Sequence, residues 1–364
     1  MNTIHELPTP ALLLDLDVLE RNLEQMQAKA DRLGVALRPH IKTHKCIEVG
    51  ERQRALGAKG ITVSTLPEAR AFADHGFDDI TWAFPLIFVR LEEVVELAEH
   101  ITLRLVVDSA EAVRELERTR RPLHVWLKVD CGYHRAGVDP ESPRVTELAR
   151  AIHESSTLEF DGILTHAGHS YDGPTRRDSA AVAVRERDVM VELAERLRAD
   201  GVPVPGVSVG STPGMHAVDH LDGVTEARPG NYAFHDYTQV LIGSCTPRDC
   251  AATVLASVVS SQPGAGHCVI DAGALALSKD PGPGDAEPAS MGEIYDDYAA
   301  GTLRPDTRVV SLSQEHGKVS RALPVGARVR ILPNHSCLTV ACFDAYHVVR
   351  GERVVDRWKV WRDR

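Results

Sequence analysis

Three short stretches of the chain carry residue types that can do chemistry. The first is Arg38-Pro39-His40-Ile41-Lys42-Thr43-His44-Lys45, which closes an apolar β-type run over Val35 to Ile41. In barrels of parallel strands the reacting groups lie at the C-terminal ends of the strands, and an amine held there can form a Schiff base with an aldehyde cofactor. A lysine taken alone reads as a solvated loop residue. The second stretch is a pair of glycine turns, Gly210-Ser211-Thr212-Pro213-Gly214 and Arg228-Pro229-Gly230-Asn231-Tyr232, each following a short apolar run. Barrels frequently bind a phosphate in the loops after their last two strands, where backbone N–H groups and hydroxyls converge on an anion. Each turn alone is only a turn. Together, Gly210, Ser211, Thr212, Gly230, Asn231 and Tyr232 favour a phosphate cradle. The third stretch is Pro333-Asn334-His335-Ser336-Cys337, whose i, i+2 spacing places imidazole and thiol on one face of an extended strand.

The elements around these stretches set where they stand. Eight β-type runs alternate with helical segments: Val35 to Ile41, Gly60 to Ser64, Asp79 to Phe84, Ile101 to Val107, Leu123 to Asp130, Glu159 to Ala167, Val207 to Gly210 and Val224 to Pro229. Eight parallel strands predict an α/β fold, a (β/α)8 TIM-type barrel. An earlier helix over Val18 to Leu33, with Asp17 as its cap and Gly34 as its stop, leaves Ala11 to Asp15 as an outlying strand. Asp108-Ser109 reads as a second helix cap. Beyond residue 245 the runs are mostly β, at Ala252 to Ser260, His267 to Ile270, Arg308 to Leu312, Arg328 to Leu332 and Leu338 to Val349. The expected division is therefore a barrel over 1–245, whose first 15 residues pair with the other domain, and a C-terminal β-domain over 246–364 that carries His335 and Cys337. Lys279 to Ala289 reads as a long loop.

The segment Arg-Pro-His-Ile-Lys-Thr-His-Lys resembles the cofactor-lysine segment of the D-serine dehydratase and D-threonine aldolase family, alanine-racemase-like enzymes of pyridoxal 5'-phosphate (PLP). Nearly the whole chain follows that family's plan, which implies a barrel, a C-terminal β-domain and a homodimer with the active site at the subunit interface. The resemblance makes Lys42 the cofactor lysine and counts His40 among the cofactor-binding residues. Within Cys131-Gly132-Tyr133-His134-Arg135-Ala136-Gly137 it implies that Arg135 contacts the ring hydroxyl, and within Thr165-His166-Ala167-Gly168-His169-Ser170-Tyr171 it offers His166 and Tyr171 as ring contacts. For the group facing the pyridine nitrogen the wider class points to Arg228 and the dehydratases to Tyr171, which is preferred. Pro-Asn-His-x-Cys is similar to the zinc pair of the eukaryotic-type dehydratases, whereas the aldolases usually have aspartate in place of Cys337. Imidazole with thiolate suits zinc, with manganese or magnesium as alternatives. Ser313-Gln314-Glu315-His316-Gly317 also resembles a family segment near the site, and neither Glu315 nor His316 is given a role.

The reading that follows is a lyase for D-β-hydroxy amino acids. Lys42 takes the α-proton, the metal activates the β-hydroxyl, and elimination yields a keto acid and ammonia. Retro-aldol cleavage to glycine and an aldehyde is the alternative. Racemisation has no use for the His-x-Cys pair, and a non-enzymatic PLP carrier no use for the β-domain. The net charge of −11 over 364 residues argues against nucleic acid. Met1 to Pro10 has no secretory signal pattern, no run is long enough to span a bilayer, and seven cysteines without framework spacing read as reduced thiols or metal ligands. A cytoplasmic protein is expected.

Overall fold

The computed structural model describes residues 3–172, 175–282 and 289–363. The chain divides into two compact units, one built chiefly from Met26–Lys42 and Gly50–Gly230, the other from Met1–Gln25, Thr43–Val49 and Asn231–Arg362. The expected boundary at 245 thus falls inside the second unit. The reason is local, since Tyr237 N–H donates to Pro333 O and Ala251 N–H to Phe234 O, at 3.0 and 2.8 Å, which binds 231–251 to the β-rich segment.

Strand β1 (Ala11–Asp15) belongs to the second unit. The first unit carries β2 (Ala36–Leu37), β3 (Ile61–Val63), β4 (Asp79–Pro85), β5 (Thr102–Val107), β6 (Leu123–Lys128), β7 (Leu158–Leu164), β8 (Gly206–Val209) and β9 (Glu226–Ala227). These form one sheet of eight strands in the order β2-β9-β8-β7-β6-β5-β4-β3, parallel throughout. Each predicted run contributes one strand. An isolated parallel bridge pairs His40, just beyond β2, with Thr62 of β3, and Thr62 N–H donates to Pro39 O at 2.8 Å. Between strands, helices start where side chains can cap them: Ser109 Oγ accepts from Ala112 N–H at 3.3 Å, and the helix Ala110–Arg118 buries Ala112, Val113 and Leu116. Val63, Ile80, Leu105, Val125, Ile163 and Val207 are fully buried, each such side chain contributing about 1.5–3 kcal/mol over exposure.

A partly buried ionic network joins the same strands. Arg38 donates to Glu226 of β9 and to Asp79 of β4, both at 2.7 Å, and Arg104 of β5 reaches Asp79 and Asp161 of β7, both at 2.8 Å. Ser208 of β8 donates to Glu226 at 2.6 Å. Every charge in it is countered, which is the condition under which buried charges are tolerated.

The second unit continues with β10 (Ala252–Gln262), β11 (His267–Ile270), β12 (Glu293–Asp297), β13 (Thr302–Leu312), β14 (Gly317–Val319), β15 (Arg328–Leu332), β16 (Ala345–Arg350) and β17 (Arg353–Lys359). The order β11-β14-β13-β12-β15-β10-β1-β16-β17, with β10 pairing β11 as well, bends six strands into an antiparallel ring. β1 runs antiparallel to β10 and parallel to β16. The strand expected over Leu338 to Val349 is instead a short helix, Ser336–Val340, followed by β16. The first helix is capped by Asp15, whose Oδ1 accepts from Val18 N–H at 3.0 Å, and not by Asp17. Residues 283–288 of the expected Lys279 to Ala289 loop lie outside the described residues. Among the described residues no helix is long and apolar enough to cross a membrane.

Candidate functional site

Lys42 lies on a single 3-10 turn, Ile41–Thr43, directly after the sheet edge where Arg38 N–H donates to Ala227 O and His40 N–H to Pro229 O, at 2.9 and 3.0 Å. Ile41 is fully buried beside it, so the half-buried Lys42 is held at a strand end and not on a free loop. His166, in the loop after β7, is surrounded by Lys42, Arg135, Lys128 and Arg228. Burial first, and then these four cations, push its imidazole well below the usual range, so it is neutral. Tyr133 from the loop after β6 meets His166 edge-on with ring centres 6.1 Å apart and stacks on His169 at 6.0 Å. The Arg135 guanidinium lies 5.0 Å from the Tyr133 ring. Gly168 is what permits this, because a Cβ there would overlap the Tyr133 ring.

Two groups that sequence reasoning passed over complete this cluster. Lys128, the last residue of β6, is buried, and desolvation followed by Arg228 and Arg135 lowers its amine to about 8. Glu186, on the helix Arg176–Ala199, is a buried carboxyl whose pKa burial raises, and it accepts from the N–H groups of Ala167, at 2.9 Å, and Gly210. Gly210 has φ +104°, a conformation open to glycine, and its amide is therefore turned toward Glu186. Ser211 caps the next short helix by accepting from Gly214 N–H at 3.1 Å and shares a 2.8 Å hydrogen bond with Ser170. Thr212 and Gly230 are buried, as is Arg228, whose guanidinium donates to Ser208 Oγ and Thr165 O. Tyr171 ends the 3-10 turn Gly168–Tyr171, half-buried.

In the second unit His335 and Cys337 are not on an extended strand. His335 precedes the helix Ser336–Val340 as its cap residue, and Cys337 sits in its first turn. The cause lies a hundred residues away. The buried carboxylate of Asp236 accepts from Ser336 N–H at 2.9 Å, which fixes a helical start where local spacing reads as strand. Asn231 donates through Nδ2 to Asp236 at 2.6 Å and to Ser336 Oγ at 3.0 Å, and lies 3.9 Å from Cys337 Sγ. Its side chain thus serves the His335–Cys337 turn, while Tyr232 beside it is fully buried. Burial alone would lower the His335 pKa. The neighbouring Cys337 sulfur and a 2.8 Å hydrogen bond from Nδ1 to Asp280 outweigh it and raise it to about 11. Imidazole and sulfur therefore lie within hydrogen-bond reach of each other, the proximity that two ligands of one ion require. Among the described residues no group of three or more His, Cys, Asp or Glu is gathered for a metal.

The profile of the alanine racemase N-terminal domain matches residues 14–238, and that of a putative serine dehydratase domain matches residues 251–349. A D-threo-3-hydroxyaspartate dehydratase of Delftia sp. (strain HT23) is 40% identical over 376 residues, 98% of each chain. Its solved structure superposes with TM-score 0.94 at 39% identity over 99% of both chains, and a cysteine-to-alanine variant of it has been solved in a metal-free form. A D-serine dehydratase of Dictyostelium discoideum is 35% identical over 386 residues, covering 97% of this chain and 96% of that one. A D-threonine aldolase of Arthrobacter sp. is 32% identical over 365 residues, covering 97% and 92%.

Proposed function

Because the chain belongs to the alanine-racemase-like family of PLP enzymes that holds the D-serine dehydratases and D-threonine aldolases, we propose that it is a lyase that eliminates water from a D-β-hydroxy amino acid, giving a keto acid and ammonia. The observation that carries the choice of elimination is Cys337 beside His335, where the aldolases usually have aspartate.

The residues around His166 fit an anionic, phosphorylated cofactor, since Lys42, Lys128, Arg135 and Arg228 gather positive charge there against the buried Glu186. Lys42 is its covalent anchor. His40, Arg135, His166 and Tyr171 would hold its ring, and the turns at Gly210, Ser211 and Thr212 and at Gly230, Asn231 and Tyr232 would hold its phosphate. Gly210 shapes its turn while its own amide is held by Glu186. When bound, PLP supplies an electron sink for charge at the substrate α-carbon. The Lys42 amine then takes the α-proton. Neutral His166 stands near it without adding charge.

His335 and Cys337 would hold a divalent ion, zinc by the softness of the sulfur, whose chemistry is Lewis-acid activation of the β-hydroxyl. Two protein ligands would leave such an ion open to substrate. The metal-free form solved for the Delftia relative's cysteine variant supports this reading.

We further read the parallel sheet as a closed (β/α)8 barrel, supported by the His40–Thr62 bridge between its outer strands. The protein is a cytoplasmic homodimer with the active site at the subunit interface. Family resemblance supports the dimer, and seven cysteines that form no disulfide suit a reducing compartment. The test is product identification after incubating holoenzyme with D- and L-serine, D-threonine and 3-hydroxy-D-aspartate. Keto acid from D-enantiomers is expected. Glycine and an aldehyde as the sole products would replace elimination by aldol cleavage.

A further inference from the structure

The carboxylate of Asp280 is placed to do more than accept one hydrogen bond. Its Oδ2 lies 2.8 Å from His335 Nδ1, while its Oδ1 accepts from Gly282 N–H at 2.9 Å. Its own carbonyl accepts from Asn334 Nδ2 at 3.0 Å, and the same amide donates to Ser290 O at 2.7 Å. Asn334 is in turn held by Thr238, whose Oγ1 and N–H donate to Asn334 O at 2.8 and 3.2 Å. Asp280 is thus fixed by bonds that do not involve the imidazole, and the imidazole has to fit it.

An ionised carboxylate accepts only, so His335 Nδ1 keeps its proton toward Asp280, and Nε2 is the nitrogen left to exchange its proton for an ion. The His335 cap position and the buried Asp236–Ser336 bond set the backbone, and Asp280 sets the ring. We propose that Asp280 is a positioning residue for the metal centre, which selects the Nδ1–H tautomer of His335 and aims Nε2 at the ion shared with Cys337. The inference rests on the reading of His335 and Cys337 as metal ligands. Carboxylate partners of this kind strengthen metal binding by about 10- to 100-fold in metalloproteins generally. They also make the histidine a firmer ligand by holding its rotamer.

The test uses full-length, PLP-loaded protein stripped of metal, titrated with zinc against a chromophoric chelator. Wild type, Asp280→Ala, Asp280→Asn and His335→Ala are compared, with melting temperature measured for each. Asp280→Ala is expected to bind zinc about 10- to 100-fold more weakly. Asp280→Asn, whose amide oxygen can still accept from Nδ1–H, is expected to lie between it and wild type. The nitrogen-15 signals of His335, assigned by their loss in His335→Ala, should report in zinc-loaded wild type a protonated Nδ1 with Nε2 on the metal, and in zinc-loaded Asp280→Ala a mixture of the two ring attachments, even if that variant is less stable. If His335→Ala binds zinc as wild type does, the metal-site reading fails. If His335→Ala loses zinc but Asp280→Ala keeps wild-type affinity and tautomer, the metal site stands and the role of Asp280 is refuted.

Discussion

The Thr43 hydroxyl lies 3.2 Å from Cys337 Sγ, and Thr43 is the residue after Lys42. The sulfur assigned to the metal is therefore tied to the immediate neighbour of the lysine assigned to the cofactor. Thr43→Val keeps the shape and removes the contact. A hydrogen bond of this kind contributes about 0.5–1.5 kcal/mol, so zinc affinity should fall by about twofold to tenfold with cofactor absorbance unchanged. Unaltered affinity would mean that the hydroxyl does not steady the sulfur.

Lys42 and Lys45 are the two lysines of the most specific motif, but only Lys42 lies on the turn that directly follows the sheet edge. Borohydride reduction and peptide mapping should find the pyridoxyl group on Lys42. Lys42→Ala should leave no lyase activity. A pyridoxyl group on Lys45 would relocate the cofactor.

Glu186 accepts from the amides of Ala167 and Gly210 and so ties together the loops after β7 and β8. Glu186→Ala strands two buried N–H groups, at about 1–3 kcal/mol each. Both the melting temperature and PLP affinity should fall. Glu186→Gln, whose amide oxygen still accepts, should lose clearly less. Equal losses would indicate that the negative charge matters more than the two bonds.

Lys128 gives a pH dependence of definite sign. Its folded-state pKa of about 8 lies below the ordinary lysine value of 10.5, so between these values the unfolded chain binds more protons than the folded one. Stability of the cofactor-free protein should therefore rise with pH across that window. Relative to Lys128→Met, wild type should gain about 2 kcal/mol between about pH 7.5 and 9.5 in urea unfolding. A flat difference would show that the amine is not perturbed.

The eight parallel strands were legible because β-type runs alternate with helices whose caps, such as Ser109, announce themselves. Lys42 was legible from its place after such a run. The conformation of His335 and Cys337 was not, because i, i+2 spacing reads as strand while Asp236, distant in sequence, imposes a helical start. Glu186 stands between Arg185 and Arg187 on a charged helix and reads as solvated. Its burial depends on which helix face meets the loops after β7 and β8. Lys128 reads as a strand tip, and of the arginines that perturb it Arg228 comes from a hundred residues further along the chain. Asp280 joins His335 across 55 residues, a pairing that no local pattern encodes.

As proposed, His335 and Cys337 hold an ion needed for elimination but not for holding the cofactor. The most direct measurement is keto-acid formation from a D-β-hydroxy amino acid by PLP-loaded enzyme, followed through chelation and re-addition of zinc, with Cys337→Ala in parallel. Chelation should abolish activity while the yellow colour of bound cofactor remains. Zinc should restore wild type and not Cys337→Ala. Full activity in excess chelator, from enzyme shown to contain no metal, would contradict the account and return His335 and Cys337 to a structural role.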